Sequence, residues 1–239
     1  MSTIISVLMG MSVLLGLMLA FRKKYKVSVI KMISLYAVVT ALTILGANFG
    51  SAIGGFSWKG LRLYGILMVD TVALFAMSWL FRMEIGSLGD YLAAPVIGIC
   101  SIVKIPCLCY GCCYGIELYK NAAGDMVRFP SQFVEFSIWL VLTAWLVLIQ
   151  LKGNHKNLIW SIATAWFGFF RFLVDFFRGS ALEMRLRIFG LPAGRFWSLV
   201  VLVMGIAFMF YSFRKYWGRN PKLIECLRIL VGVTPVKEN

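Results

Sequence analysis

Residues 158–178 read LIWSIATAWFGFFRFLVDFFR, and positions 158–170 of that run carry no charge. An apolar run of about 20 residues is the length that crosses a bilayer as a helix. The run closes on Arg171, Asp175 and Arg178, spaced i, i+4 and i+7, so all three share one helix face. A charge in hydrocarbon is costly and is normally turned toward protein or water, with a partner. Asp175 can pair with either arginine. Either pairing leaves positive charge over, which an anionic ligand could neutralise; the alternative is a structural ion pair locking two helices.

Six further stretches have the same character: 3–21, 27–49, 63–81, 91–110, 131–151 and 196–213. With 158–177 they predict an all-α fold, a polytopic integral membrane bundle of about seven transmembrane helices. Residues 1–213 are expected to form one transmembrane domain and 214–239 a basic cytoplasmic tail. The composition agrees. Of 239 residues, 61% are hydrophobic and 14% charged, with a mean hydropathy of +0.85. Soluble chains carry about 25% charged residues. Disorder is excluded by the apolar content, and the +14 net charge does not indicate a nucleic-acid partner.

Charge placement sets the orientation. No lysine or arginine precedes the first stretch, and Arg22, Lys23, Lys24 and Lys26 follow it. A cleaved signal peptide has its charges in front. An N-out, C-in chain puts thirteen basic residues inside and eight outside, as the positive-inside rule requires. The outside eight include Arg128, Arg178, Arg185, Arg187 and Arg195 near the last two outer helix ends. The guanidinium fork suits phosphate and carboxylate better than an ammonium does; the competing reading is snorkelling at the headgroups.

Other polar groups fall at the same level. The fourth stretch ends in Lys104-Ile105-Pro106-Cys107-Leu108-Cys109-Tyr110-Gly111-Cys112-Cys113-Tyr114-Gly115, where Pro106 should interrupt the helix. Lys104 is a second cation in the outer half. Glu135, one turn inside the fifth stretch, is a candidate partner for Lys104 or Arg171. The third stretch carries Tyr64 and, further in, Asp70. The C-x-C-x2-C-C spacing lacks the second separated pair of a zinc site, and His155 is the single histidine. No metal and no cofactor are expected. Polar groups gathered in the outer half of a bundle describe a site for a lipid headgroup open to the outer leaflet.

From about residue 55 to 205 the chain resembles the prolipoprotein diacylglyceryl transferase family. The resemblance rests on Asp90 with Ala94-Pro95, on Gly111-Cys112-Cys113-Tyr114-Gly115, and on Pro130-Ser131-Gln132-Phe133-Val134-Glu135, similar to the family's Pro-Ser-Gln-Leu-Tyr-Glu. The most specific match is the run from Phe167 to Arg178. It implies a seven-helix, N-out membrane enzyme. Such an enzyme moves a diacylglyceryl group from phosphatidylglycerol to the lipobox cysteine thiol of a prolipoprotein at the outer leaflet of the bacterial plasma membrane. The products are a thioether and glycerol phosphate.

Carried onto this chain, the resemblance implies catalytic roles for Arg171, Asp175, Tyr64 and Lys104. It implies donor or acceptor contacts from Gly115, Arg178, Glu135, Gln132, Cys107 and Cys112. Several of these positions differ from the family: its histidine falls at Tyr64, its arginine at Lys104, its asparagine at Cys107, its glutamate at Cys112 and its helix-six tyrosine at Phe167. A thiol must lose its proton to become a nucleophile, and Asp175, Asp70 and Tyr64 are the candidate bases. The replacements leave two further readings open: a divergent transferase with the same lipid donor and another acceptor, and a non-enzymatic phospholipid-binding membrane protein.

Overall fold

The computed structural model describes residues 3–53, 62–111, 114–121, 123–152, 155–178, 187–218 and 220–232. Its elements in chain order are α1 (Thr3–Phe21), α2 (Val29–Ile53), α3 (Arg62–Leu80), α4 (Ile85–Ile102), α5 (Ile105–Tyr110), β1 (Glu117–Lys120) and β2 (Met126–Arg128). There follow α6 (Ser131–Lys152), α7 (Ile159–Val174), β3 (Arg187–Ile188), β4 (Leu191–Pro192), α8 (Ala193–Trp217) and α9 (Leu223–Leu230). The strands form two small antiparallel hairpins, β1 with β2 and β3 with β4. The rest is an all-α bundle.

Hydrocarbon offers the backbone no hydrogen-bond partners, so a spanning segment must satisfy its own as a helix. Among the described residues, Ile85–Tyr110, Ser131–Lys152 and Ala193–Tyr216 are long and apolar enough to cross a membrane. Four shorter apolar stretches run beside them: Leu8–Phe21, Val29–Thr43, Thr71–Leu80 and Ile159–Val174. Large apolar side chains such as Val72, Phe75, Trp79, Val141, Leu148 and Val203 face outward and exposed. On a water-soluble protein that much exposed apolar surface would drive association; on a multi-pass membrane protein it meets lipid.

α4 is the axis of the bundle. It packs against α1, α3, α6 and α7, and it is buried at almost every position from Ile85 to Ser101. Apolarity alone does not select the interior of a membrane bundle; the small residues Gly86, Gly89, Ala93, Ala94 and Gly98 let neighbouring helices approach α4 closely. It starts at Ile85, six residues before the stretch read from sequence, because Gly86, Leu88, Gly89 and the buried Asp90 extend it into the turn. It ends where the sequence predicted an interruption. Val103 and Lys104 form a turn, and α5 restarts with Pro106 in its first turn, where a missing N–H costs nothing.

α7 lies along α8. A side chain at Gly168 would collide with the backbone of Leu202, and one at Gly205 with that of Ala165. Without side chains at these crossings the two backbones come into contact, as small residues allow between membrane helices. That contact fixes α7, the helix whose end carries Arg171. Beyond α8 the chain folds back, and α9 buries Cys226 and Ile229 against the bundle. The Trp166 indole N–H donates to the Leu230 carbonyl at 2.6 Å.

The α1–α2, α3–α4 and α6–α7 turns gather at one end of the bundle, around Asp90. Each contains a non-glycine residue with positive φ: Lys26, Arg82 and Asn157. Asp90 accepts the Asn157 N–H at 2.5 Å and the Ile159 N–H at 2.7 Å, while the Gln150 amide donates to its carbonyl. The carboxylate of α4 thereby clamps the α6–α7 turn. The sequence marked Asp90 as part of a motif; this task depends on contacts 67 and 69 residues away.

Candidate functional site

At the opposite end four elements deliver charged groups to one buried point. Glu135, on the first turns of α6, is 2% exposed. Its Oε1 accepts from Arg171 Nη1 at 2.6 Å and from Arg178 Nη1 at 3.4 Å. Its Oε2 pairs with the ammonium of Lys104, which comes from the turn between α4 and α5. Arg171, in the last turn of α7 and fully buried, also holds Asp175 Oδ1 at 3.2 Å through Nη2. The rigid, planar guanidinium fork therefore spans two carboxylates from two elements, a fixed geometry that a lysine's point charge does not supply.

The local structure explains the geometry. α7 ends at Val174, and Asp175 is its C-cap. Phe176 and Phe177 continue as a turn, with their amides bonded to Leu173 and Val174 carbonyls. Arg178 thus leaves the helix axis and reaches back to Glu135. Beneath the charges, the Trp139 and Phe167 rings stack with centroids 4.3 Å apart, and both are buried. Each sits one turn below its charged neighbour, Glu135 or Arg171, and together they close the site from below with apolar surface.

A strap of chain closes it from the side. Gly115 N–H donates to the Phe129 carbonyl at 2.8 Å and Ile116 N–H to the Phe177 carbonyl at 2.9 Å, with Phe129 N–H returning to Ile116 at 2.9 Å. The Phe129 and Phe177 rings stack 5.0 Å apart. The segment after α5 is thereby tied to the start of α6 and the end of α7. A Cβ at Gly115 would collide with the Phe177 carbonyl and lie 2.7 Å from Phe129 Cβ. Replacing Gly115 by alanine should break this strap and cost about 1–3 kcal/mol. The cost would be read as a lower melting temperature of the detergent-solubilised protein.

A family model for prolipoprotein diacylglyceryl transferase matches residues 4–211. The chain belongs to that family. It is also 26% identical over 196 residues to a protein of Dehalococcoides mccartyi named phosphatidylglycerol–prolipoprotein diacylglyceryl transferase. That match covers 74% of this chain and 70% of the relative. The family is one of transferases, and the sequence resemblance is confirmed over more of the chain than its motifs covered.

Of the residues singled out from sequence, Lys104, Glu135, Arg171, Asp175 and Arg178 meet in one cluster. Gln132 is buried one turn before the cluster on α6. Gly115 is buried in the strap, and Cys107 is half-buried on α5. Cys112 lies outside the described residues, as do the side chains of Tyr64 and Asp70 on α3. Arg185 also lies outside them, and Arg195 stacks its guanidinium 4.0 Å over the Phe176 ring.

The sequence offered Glu135 as a partner for Lys104 or Arg171; it takes both, and Arg178 as well. Asp175, open to either arginine on spacing alone, pairs with Arg171. The strap residues Phe129 and Phe177 were not singled out. Their aromatic character was visible, but the pairing rests on backbone bonds between distant segments.

Proposed function

We propose that this protein transfers a diacylglyceryl group from phosphatidylglycerol to the lipobox cysteine of a prolipoprotein. The Glu135 end would open to the outer leaflet of the bacterial plasma membrane, with the N-terminus outside and the C-terminus inside. The observation that carries the reading is the charge balance of the buried cluster. Lys104, Arg171 and Arg178 face Glu135 and Asp175, so these five residues hold one positive charge in excess. A phosphodiester headgroup carries the matching negative charge.

In this reading the thiolate sulfur of the acceptor attacks the glyceryl carbon bonded to the phosphate oxygen. The C–S bond forms as the C–O bond breaks, and glycerol phosphate leaves with the electron pair. Negative charge grows on the leaving phosphate, and a guanidinium already held in place stabilises it without reorganisation. Arg171 fills that role, with Asp175 and Glu135 fixing its plane. Lys104 and Arg178 add charge. The thiol proton goes to a base among Asp175, Asp70 and Tyr64.

A second reading is a transferase with the same donor and a different acceptor. Tyr64, Lys104, Cys107 and Cys112, standing where the family has other residues, favour it. One experiment separates the readings. Purified protein is given phosphatidylglycerol and a lipobox peptide, and the peptide is analysed by mass spectrometry. A diacylglyceryl mass gain on its cysteine is expected. Glycerol phosphate release without peptide labelling would select the second reading. Lipid binding without any turnover, beside an active relative as positive control, would overturn both and leave a phospholipid-binding protein.

A further inference from the structure

The end of the bundle remote from the Glu135 cluster holds a polar cavity of about 280 Å³, lined by Lys24, Tyr25, Lys26, Ser87, Asp90, Lys156 and Ile159. Nothing in the proposed transfer uses it. Three ammonium groups surround its mouth, from the α1–α2 and α6–α7 turns, and one carboxylate lies at its floor. Lys26 and Lys156 are exposed. Lys24 is braced against the end of α6, donating to the Gln150 carbonyl and, at 3.3 Å, to that of Leu151. Asp90 is 1% exposed and accepts backbone N–H groups from Asn157, Ile159 and Trp160. A carboxylate has about four acceptor positions, so it retains capacity toward the cavity.

The mouth is built rather than loose. Lys26 and Asn157 hold φ values of +53° and +68°, conformations that L residues with side chains rarely adopt. A side chain at Gly86 would run into Asn157. Burial pushes the Tyr25 phenol above its ordinary pKa, so it stays protonated and able to donate. The turns that frame the mouth lie at helix ends, the level at which headgroups meet a membrane protein. Basic pockets between helices at that level bind lipid headgroups.

We infer that this cavity is a second lipid site, distinct from the Glu135 cluster, and that it takes a phosphodiester headgroup whose far end donates hydrogen bonds. The phosphate sits among Lys24, Lys26 and Lys156. The donating end, an ammonium or a hydroxyl, points down to Asp90. A quaternary ammonium has no N–H and cannot make that second contact. The site therefore prefers ethanolamine or glycerol headgroups to choline.

Lipid titration of the full chain in detergent, read by native mass spectrometry, tests this. Phosphatidylethanolamine is the main probe because the proposed transfer does not consume it. It should bind at least ten-fold more tightly than phosphatidylcholine, and a double variant K26Q/K156Q should lose that preference. Both side chains are exposed, so the variant should melt with the wild type, and its labelling of a lipobox peptide should be unchanged. Glycerophosphoethanolamine supplies the same headgroup without chains. Competition by it at similar concentration would assign the site to a soluble phosphodiester, and its failure to compete would assign it to a lipid. Equal binding of the choline and ethanolamine lipids, or ethanolamine binding indifferent to the double variant, would overturn the inference.

Discussion

Replacing Glu135 with alanine should unfold this protein more readily than any other single change in the cluster. Three cations lose their shared acceptor at once, and Arg171 and Lys104 are left largely buried. Removing one partner of a buried ion pair costs about 3–5 kcal/mol, because the remaining charge is uncompensated. For a chain of this size that corresponds to a fall in melting temperature on the order of 10 °C. E135Q keeps the shape and one acceptor oxygen and should fall between the two. The measurement is fluorescence-detected size exclusion after heating in detergent. An E135A melt within about 2 °C of wild type would mean that water or lipid, not Glu135, compensates these cations.

The second large effect is on chemistry rather than folding. Arg171→Lys keeps the charge but not the fork that reaches Glu135 and Asp175 together. Removing a preorganised charge-stabilising donor typically lowers kcat by about 10²–10³-fold, and that loss is expected in the labelling of a lipobox peptide. The melting temperature should fall less than in E135A, since an ammonium still faces Glu135. Unchanged turnover in a folded R171K protein would remove Arg171 from the transfer step.

Much of this arrangement is legible in the sequence, for a physical reason. Hydrocarbon imposes length and charge rules that act residue by residue, so the seven apolar stretches and the interruption before Pro106 follow from local composition. The cost of intramembrane charge singled out Arg171, Asp175, Lys104 and Glu135 as a group. Pairing is different. Arg178 reaches Glu135 because α7 stops at Val174, and Asp90 clamps a turn from another pair of helices. Neither depends on spacing along one helix. The basic residues of 214–239 dominate its reading as a tail; that Cys226 and Ile229 of α9 are buried is evident only from the packing of α9 on α7.

The Asp90 clamp also bears on how the chain is assembled. Its amide partners Asn157 and Ile159 lie 67 and 69 residues downstream. At a synthesis rate of about 5–20 residues per second, they emerge on the order of ten seconds later. Until then the carboxylate in the second turn of α4 lacks these hydrogen bonds, and an ionisable group without partners is costly to bury in a membrane helix. The first four helices are consequently an incomplete unit until α6 and the turn after it arrive. Insertion of the second half completes the first, and a chain truncated before Asn157 should be cleared by proteolysis rather than accumulate as a half-bundle.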